Sequence, residues 1–263
     1  MMWNIFAKYF QKHLKNQMIL ICIAIEIVVL IIFALGIELE FIDGNLVGMS
    51  GVFSKKMIYD SVFVKSFVDF VSSMLFYVLI FLYIVGGAEF PVNLMTDSLL
   101  GIILVRGVTR RGIYISRFLG LILAYTLNAF VFSLLFSFII FYKSDFKVFN
   151  LGPLYIFISF ALTFIVIELF ISFIGVLSKN SLVSSAFGIL AYFVISPFLY
   201  GNKNVSLLAS IFYYVVSSAY AVNKEFTNLI HGGDFNLFNF IVHIFVSIVY
   251  FVIGIEVFNR KEM

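Results

Sequence analysis

Residues 18–37 read MILICIAIEIVVLIIFALGI, twenty positions with a single charge, Glu26. A bilayer core of about 30 Å is crossed by about twenty helical residues, so this stretch is long enough to span once. It begins too far into the chain and runs too long for a cleaved leader, and no small-residue cleavage site follows it, so a retained first span is expected. Working outward, five further runs of the same kind lie near 71–90, 118–142, 154–177, 182–200 and 237–258. The expectation is an all-α integral membrane protein with six transmembrane helices in one domain, 1–263.

Composition agrees. The chain is 63% hydrophobic and 12% charged, where a soluble domain carries about a quarter charged residues. Its mean hydropathy is +1.12. Thirty-five Phe and fourteen Tyr suit a lipid-facing surface with interfacial belts. The net charge of +3 is modest and gives no ground for a nucleic-acid partner. The one cysteine, Cys22, cannot form an internal disulfide, and three scattered histidines offer no zinc pair.

Lys and Arg set the orientation. With both termini cytoplasmic, the inner segments collect ten basic residues, among them Lys8, Lys12, Lys15, Arg110, Arg111, Arg117 and Arg260. Their acids are Glu89, Asp97 and Glu262, whereas the outer segments balance seven lysines with eight acids. The stretch 205–222, VSLLASIFYYVVSSAYAV, threatens the count. It holds four serines and three tyrosines, and a seventh span would carry Arg260 and Lys261 outside. It is therefore read as a re-entrant or surface-lying part of an outer segment, 201–235.

Residues 1–16 predict an amphipathic interfacial helix. Trp3, Phe6, Tyr9, Phe10 and Leu14 fall on one side, and Asn4, Lys8, Gln11, Lys12 and Lys15 on the other, with Ile5 out of pattern. A plain membrane anchor and a lever against a cytoplasmic partner fit equally well.

The sizeable cytoplasmic loop lies between spans 2 and 3: EFPVNLMTDSLLGIILVRGVTRRGIYISR, 89–117. Pro91 is expected to stop the second span, and Thr96 or Asp97 to cap a short apolar helix through Leu99, Leu100, Ile102, Ile103 and Leu104. Gly107 suits a left-handed C-terminal cap, and Thr109 can cap the helix that becomes the third span. An apolar helix at a water interface needs a cover, and Arg106, Arg110 and Arg111 rim this one. An ordinary interfacial helix obeying the positive-inside rule is the competing account.

This loop resembles that of type-2 ABC transporter permeases, a six-span family associated mainly with export. Their pattern is Gly-Thr-(Leu/Ile)-x-x-Leu-Leu-x-x-(Pro/Gly)-Val-Ser-Arg with Lys seven residues on. Here Leu100, Ile103-Leu104 and Gly107-Val108-Thr109-Arg110 match without gaps, and Arg117 stands at the Lys position; Ser98 and Leu99 replace Gly-Thr. Glu89 also resembles a family acid. The resemblance implies a cytoplasmic coupling loop, 93–113, whose Asp97, Leu100, Ile103, Leu104, Arg106, Gly107, Val108, Thr109 and Arg110 meet an ATPase. It implies two ABC ATP-binding subunits, a second permease as homo- or heterodimer, and a multi-pass place in the cell membrane. The chain has no Gly-x-x-x-x-Gly-Lys-(Ser/Thr) loop, so ATP and Mg would be bound by the partner ATPase and this subunit would be no enzyme.

Charges at the bilayer centre are expensive and mark function by default. Glu26 and Glu168 sit near mid-span with no Lys or Arg at their depth, and Glu256 lies nearer an inner end. With Asn128 they suggest a translocation path for cationic or polar groups, or else hydrogen bonds between helices. An ion-coupled secondary transporter or channel using these carboxylates is the alternative function; broken helices would favour it. Clustered nucleophile motifs that would mark a membrane enzyme are missing. Ser181, Ser184, Ser185 and Gly188 have the small-residue spacing of a close helix contact, within the chain or between copies.

Overall fold

The computed structural model describes residues 2–42, 45–51, 54–58, 75–96, 107–144, 152–202, 206–230 and 234–260. Six helices in it are long and apolar enough to cross a membrane. They are α2 (Gln17–Gly36), α3 (Leu75–Met95), α4 (Arg110–Lys143), α5 (Gly152–Ser178), α6 (Ser181–Gly201) and α9 (Leu237–Arg260). Short helix α1 (Met2–Leu14) precedes them, and α7 (Leu207–Val216) and α8 (Ser218–Ile230) lie between α6 and α9. The central column is α5, which packs against α3, α4, α6, α8 and α9.

Local chemistry fixes the starts. The Asn16 side chain accepts the Met18 N–H at 2.8 Å and caps α2. Thr109 accepts the Gly112 N–H at 3.1 Å and starts α4, as its sequence position predicts. Between α5 and α6 only two residues turn the chain. Lys179 takes a left-handed φ of 55°, and the Asn180 side chain accepts the N–H of Leu182 and Val183. Two helices carry an inserted wide turn, Ile32–Gly36 in α2 and Leu190–Ile195 in α6.

Two expectations need correction. The chain is not purely helical: β1 (Ile37–Ile42), β2 (Asn45–Gly51) and β3 (Ser54–Ile58) form an antiparallel sheet in the order β1-β2-β3. The stretch IELEFI alternates apolar and acidic residues, the period of a strand, directly after the span ends. Ile37 pairs with Gly51 and Glu38 with Ser50, with a register shift at Glu40/Phe41. Second, Pro91 does not stop span 2. The helix breaks at Ala88 and resumes over Glu89–Thr96, so Pro91 falls in a first turn, where a missing N–H costs nothing.

The expected N-terminal helix forms as α1, and its buried side includes the residue that stood out of pattern. Ile5 and Tyr9 are its buried residues, whereas Trp3 is 73% exposed. The rings of Trp3, Phe6 and Phe10 stack along the flank, centroids 5.0 and 6.2 Å apart. The helix crosses α4 at Gly120, where a Cβ would stand 3.0 Å from the Phe10 backbone nitrogen. Ile5, which broke the sequence pattern, belongs to the core.

Of the stretch 205–222, read as re-entrant or surface-lying, residues 206–222 are described, and none of them belongs to one of the six long apolar helices. The stretch splits at Ser217 into helices of ten and thirteen residues. Ala221 and Val222 are fully buried, and Asn223 donates to Tyr192 of α6 at 3.0 Å while accepting from Ser159 of α5 at 2.6 Å. The buried carboxylate of Glu225 accepts from the Asn236 N–H and the Asn239 amide, holding the start of α9. His243 is buried against the Tyr213 and Tyr214 rings.

The small residues of α6 serve packing within the chain. Ser184 donates to the Ile171 carbonyl at 2.7 Å, and Gly188 backs onto Ile171. Gly175 makes room for Pro91.

Candidate functional site

Two of the three polar residues singled out at membrane depth meet. Asn128 of α4 donates to Glu26 Oε1 of α2 at 3.0 Å and to the Tyr83 hydroxyl of α3 at 2.6 Å. Glu26 is buried, and this amide is the partner a mid-span carboxylate needs. Glu168 lies further along the same interior. It is fully buried on α5, and neither carboxylate oxygen has a hydrogen-bond partner among the described residues.

Aromatic residues join the two points. Tyr83 and Tyr125 meet edge to face with centroids 4.4 Å apart, and Tyr125 stacks on Phe164 at 5.2 Å. The Tyr125 hydroxyl and that of Tyr114 lie within electrostatic range of Glu168. The space for this comes from Gly86 and Gly87 of α3. A Cβ on Gly86 would stand 2.2 Å from the Tyr125 hydroxyl, and one on Gly87 would stand 1.9 Å from Glu168 Oε1.

A polar seam thus runs Glu26–Asn128–Tyr83–Tyr125–Glu168 through four helices. Its carboxyl, amide and phenol groups can accept, donate or pass a proton, or coordinate a polar solute. Tyr83 and Tyr125 escape a reading by hydropathy because a span-length average is dominated by the apolar residues around each phenol. The Gly86-Gly87 pair inside an apolar run was the available signal, since paired glycines in a span mark close approach.

At the end of the bundle that carries both termini, Gly107 has φ +80°, the left-handed value expected of it. Val108 is buried in the core, and Thr109 caps α4. Arg110 donates to the Asn259 carbonyl at 3.3 Å, and Arg111 pairs with Glu256 at 2.6 Å, with Arg260 on the same carboxylate at 3.0 Å. These contacts latch the foot of α4 to the end of α9. Asp97, Leu100, Ile103, Leu104 and Arg106 lie outside the described residues. No group of three or more metal-ligating side chains occurs among the described residues.

Six helices long and apolar enough to cross a membrane, packed around a largely apolar core, define a multi-pass α-helical membrane protein. Compared with known protein families and with characterised proteins, the chain matches none.

Proposed function

We propose that this chain is the transmembrane permease subunit of an ATP-driven ABC transporter of the type-2 class, acting in export. Its termini and the 93–113 loop lie in the cytoplasm, where two ABC ATP-binding subunits dock and supply ATP and Mg. A second permease completes the assembly. The observation that supports this most is mechanical. The loop residues Gly107–Arg110 run without interruption into the 34 residues of α4, whose foot is clasped by α1 and latched to α9. A push on the loop would therefore move a rigid element that reaches the polar seam.

The test is co-expression with candidate ATP-binding subunits, purification in mild detergent and reconstitution. Co-purification of an ATPase, and ATP-dependent transport abolished by Leu104→Asp or Arg106→Glu, are the expected results. If no ATPase is ever retained and both variants transport normally, the proposal fails.

A second reading has its own support. The break at Ala88, the wide turns in α2 and α6 and a Glu168 carboxylate without a hydrogen-bond partner among the described residues are features of a carrier that couples to ions. Uptake or efflux by the chain alone, driven by a proton or sodium gradient and lost in Glu168→Gln, would favour it over the permease.

A further inference from the structure

Beside the foot of α4, the end of α1, the start of α2 and the end of α3 enclose a cavity of about 400 Å³. Its charged lining is Lys12, Lys15 and Arg117 against one carboxylate, Glu89, with His13 among them. Three cations and one anion give the cavity a net charge of +2 while His13 is neutral.

The three cations sit at different depths. Arg117 is 2% exposed and forms the floor, its guanidinium 3.8 Å from the centre of the Tyr9 ring. Lys12 and Lys15 are exposed at the rim. The positive end of the α2 dipole, at the Asn16 cap, opens onto the same space. His13 senses this potential: burial first, then the charges of Lys12 and Arg117, hold its imidazole down at a pKa of about 4. A buried cation below two exposed ones is a geometry for a phosphate group with a polar substituent pointing outward.

Size and place narrow the source. At ~30 Å³ for each water-sized group, the cavity takes about a dozen heavy atoms, more than a bare phosphate needs. The Trp3–Phe6–Phe10 ring row beside it is what a helix lying at headgroup depth presents to the acyl boundary. We propose that this cavity binds a phosphate-bearing anion, and that its position at the bilayer edge selects the headgroup of an anionic phospholipid. The site stands independently of the permease proposal, because its lining involves none of the residues assigned to the ATPase.

The full chain in neutral detergent is incubated with phosphatidylglycerol or with phosphatidylcholine of the same acyl chains, and bound lipid is read by native mass spectrometry. Phosphatidylglycerol is expected to be retained selectively, and the Lys12→Gln/Lys15→Gln variant to retain it about tenfold less. Glu89→Gln should act in the opposite direction and raise retention, an effect that loss of folding cannot imitate. Inorganic phosphate added as competitor separates the sources: full displacement assigns the cavity to a soluble phosphate, and persistence of the lipid assigns it to the headgroup. Equal retention of the two lipids, or unchanged retention in the double lysine variant, overturns the proposal.

Discussion

Gly87→Ala is the sharpest probe of the polar seam. The added methyl would stand 1.9 Å from Glu168 Oε1, 2.3 Å from its Cδ and 2.5 Å from Oε2. The end of a glutamate side chain can usually swing aside, but Glu168 is fully buried and has nowhere to go without moving its neighbours. Overpacking of this kind costs about 1–3 kcal/mol. Against it stands the helix preference for Ala over Gly, about 0.5–1 kcal/mol in favour of the variant. In the native background the sum is a loss of up to ~2.5 kcal/mol. In a Glu168→Ala background the obstacle is gone and the same substitution should stabilise by about 0.5–1 kcal/mol. The coupling between the sites is then about 1–3 kcal/mol, read in detergent as thermal midpoints that differ by about 2–4 °C per kcal/mol. Equal shifts of Gly87→Ala in the two backgrounds would refute the reasoning, because they would mean that α3 does not face Glu168 here. The neighbouring pair gives a cross-check, with Gly86→Ala eased in part by Tyr125→Phe, which removes the hydroxyl 2.2 Å away.

Asn128→Leu removes both donations that the amide makes, to Glu26 and to Tyr83, and should destabilise by about 1–2 kcal/mol, with Asn128→Gln a milder case; thermal unfolding in detergent measures both. The docking of α1 should depend on pH through His13. Its pKa is about 4 when docked and the ordinary 6.5 when released, so above 6.5 both states are neutral and docking is at full strength. As pH falls from 6.5 toward 4 the released helix takes up the proton first, and docking weakens by at most about 1.4 kcal/mol per pH unit. Trp3, the chain's single tryptophan, reports this by its emission, and His13→Gln should flatten the response.

Hydropathy made the six spans legible because a bilayer imposes one length on every crossing helix, and the described ends of α5 and α6 fall within two residues of the sequence estimate. Caps were legible for the same reason that they work: Thr109 and Gly107 are recognised by local chemistry that needs no partner elsewhere in the chain. What hydropathy hid was anything whose meaning depends on a neighbour. Ile5 looked misplaced until the packing of α1 on α4 brought it into the core. Pro91 looked like a terminator because proline breaks helix interiors, yet a break three residues earlier puts it in a first turn, and Gly175 gives its ring a place. The strands were lost by a different route. Reading the loop after span 1 as merely charged overlooked that Glu38 and Glu40 alternate with apolar residues.

One helix connects the loop and the seam. Arg110 and Asn128 lie eighteen residues apart on α4, about 27 Å at 1.5 Å per residue. No proline interrupts that length. In the proposed mechanism, a displacement at Thr109–Arg110 would reach the Asn128–Glu26 and Tyr83–Tyr125 contacts as a translation or tilt of this helix. The constraints at the foot decide which. The pair of Arg111 with Glu256 and the bond from Arg110 to Asn259 tie α4 to α9, while Gly120 and Arg117 press it against α1. With two attachments on different neighbours, sliding along the axis would break both, whereas a tilt about the Gly120 crossing would keep one. Tilt swings Asn128, eight residues beyond that crossing, by more than it moves anything at the crossing itself. Under the proposed coupling, a small rotation at the loop end would therefore reach the amide that serves Glu26 and alter its hydrogen bonds.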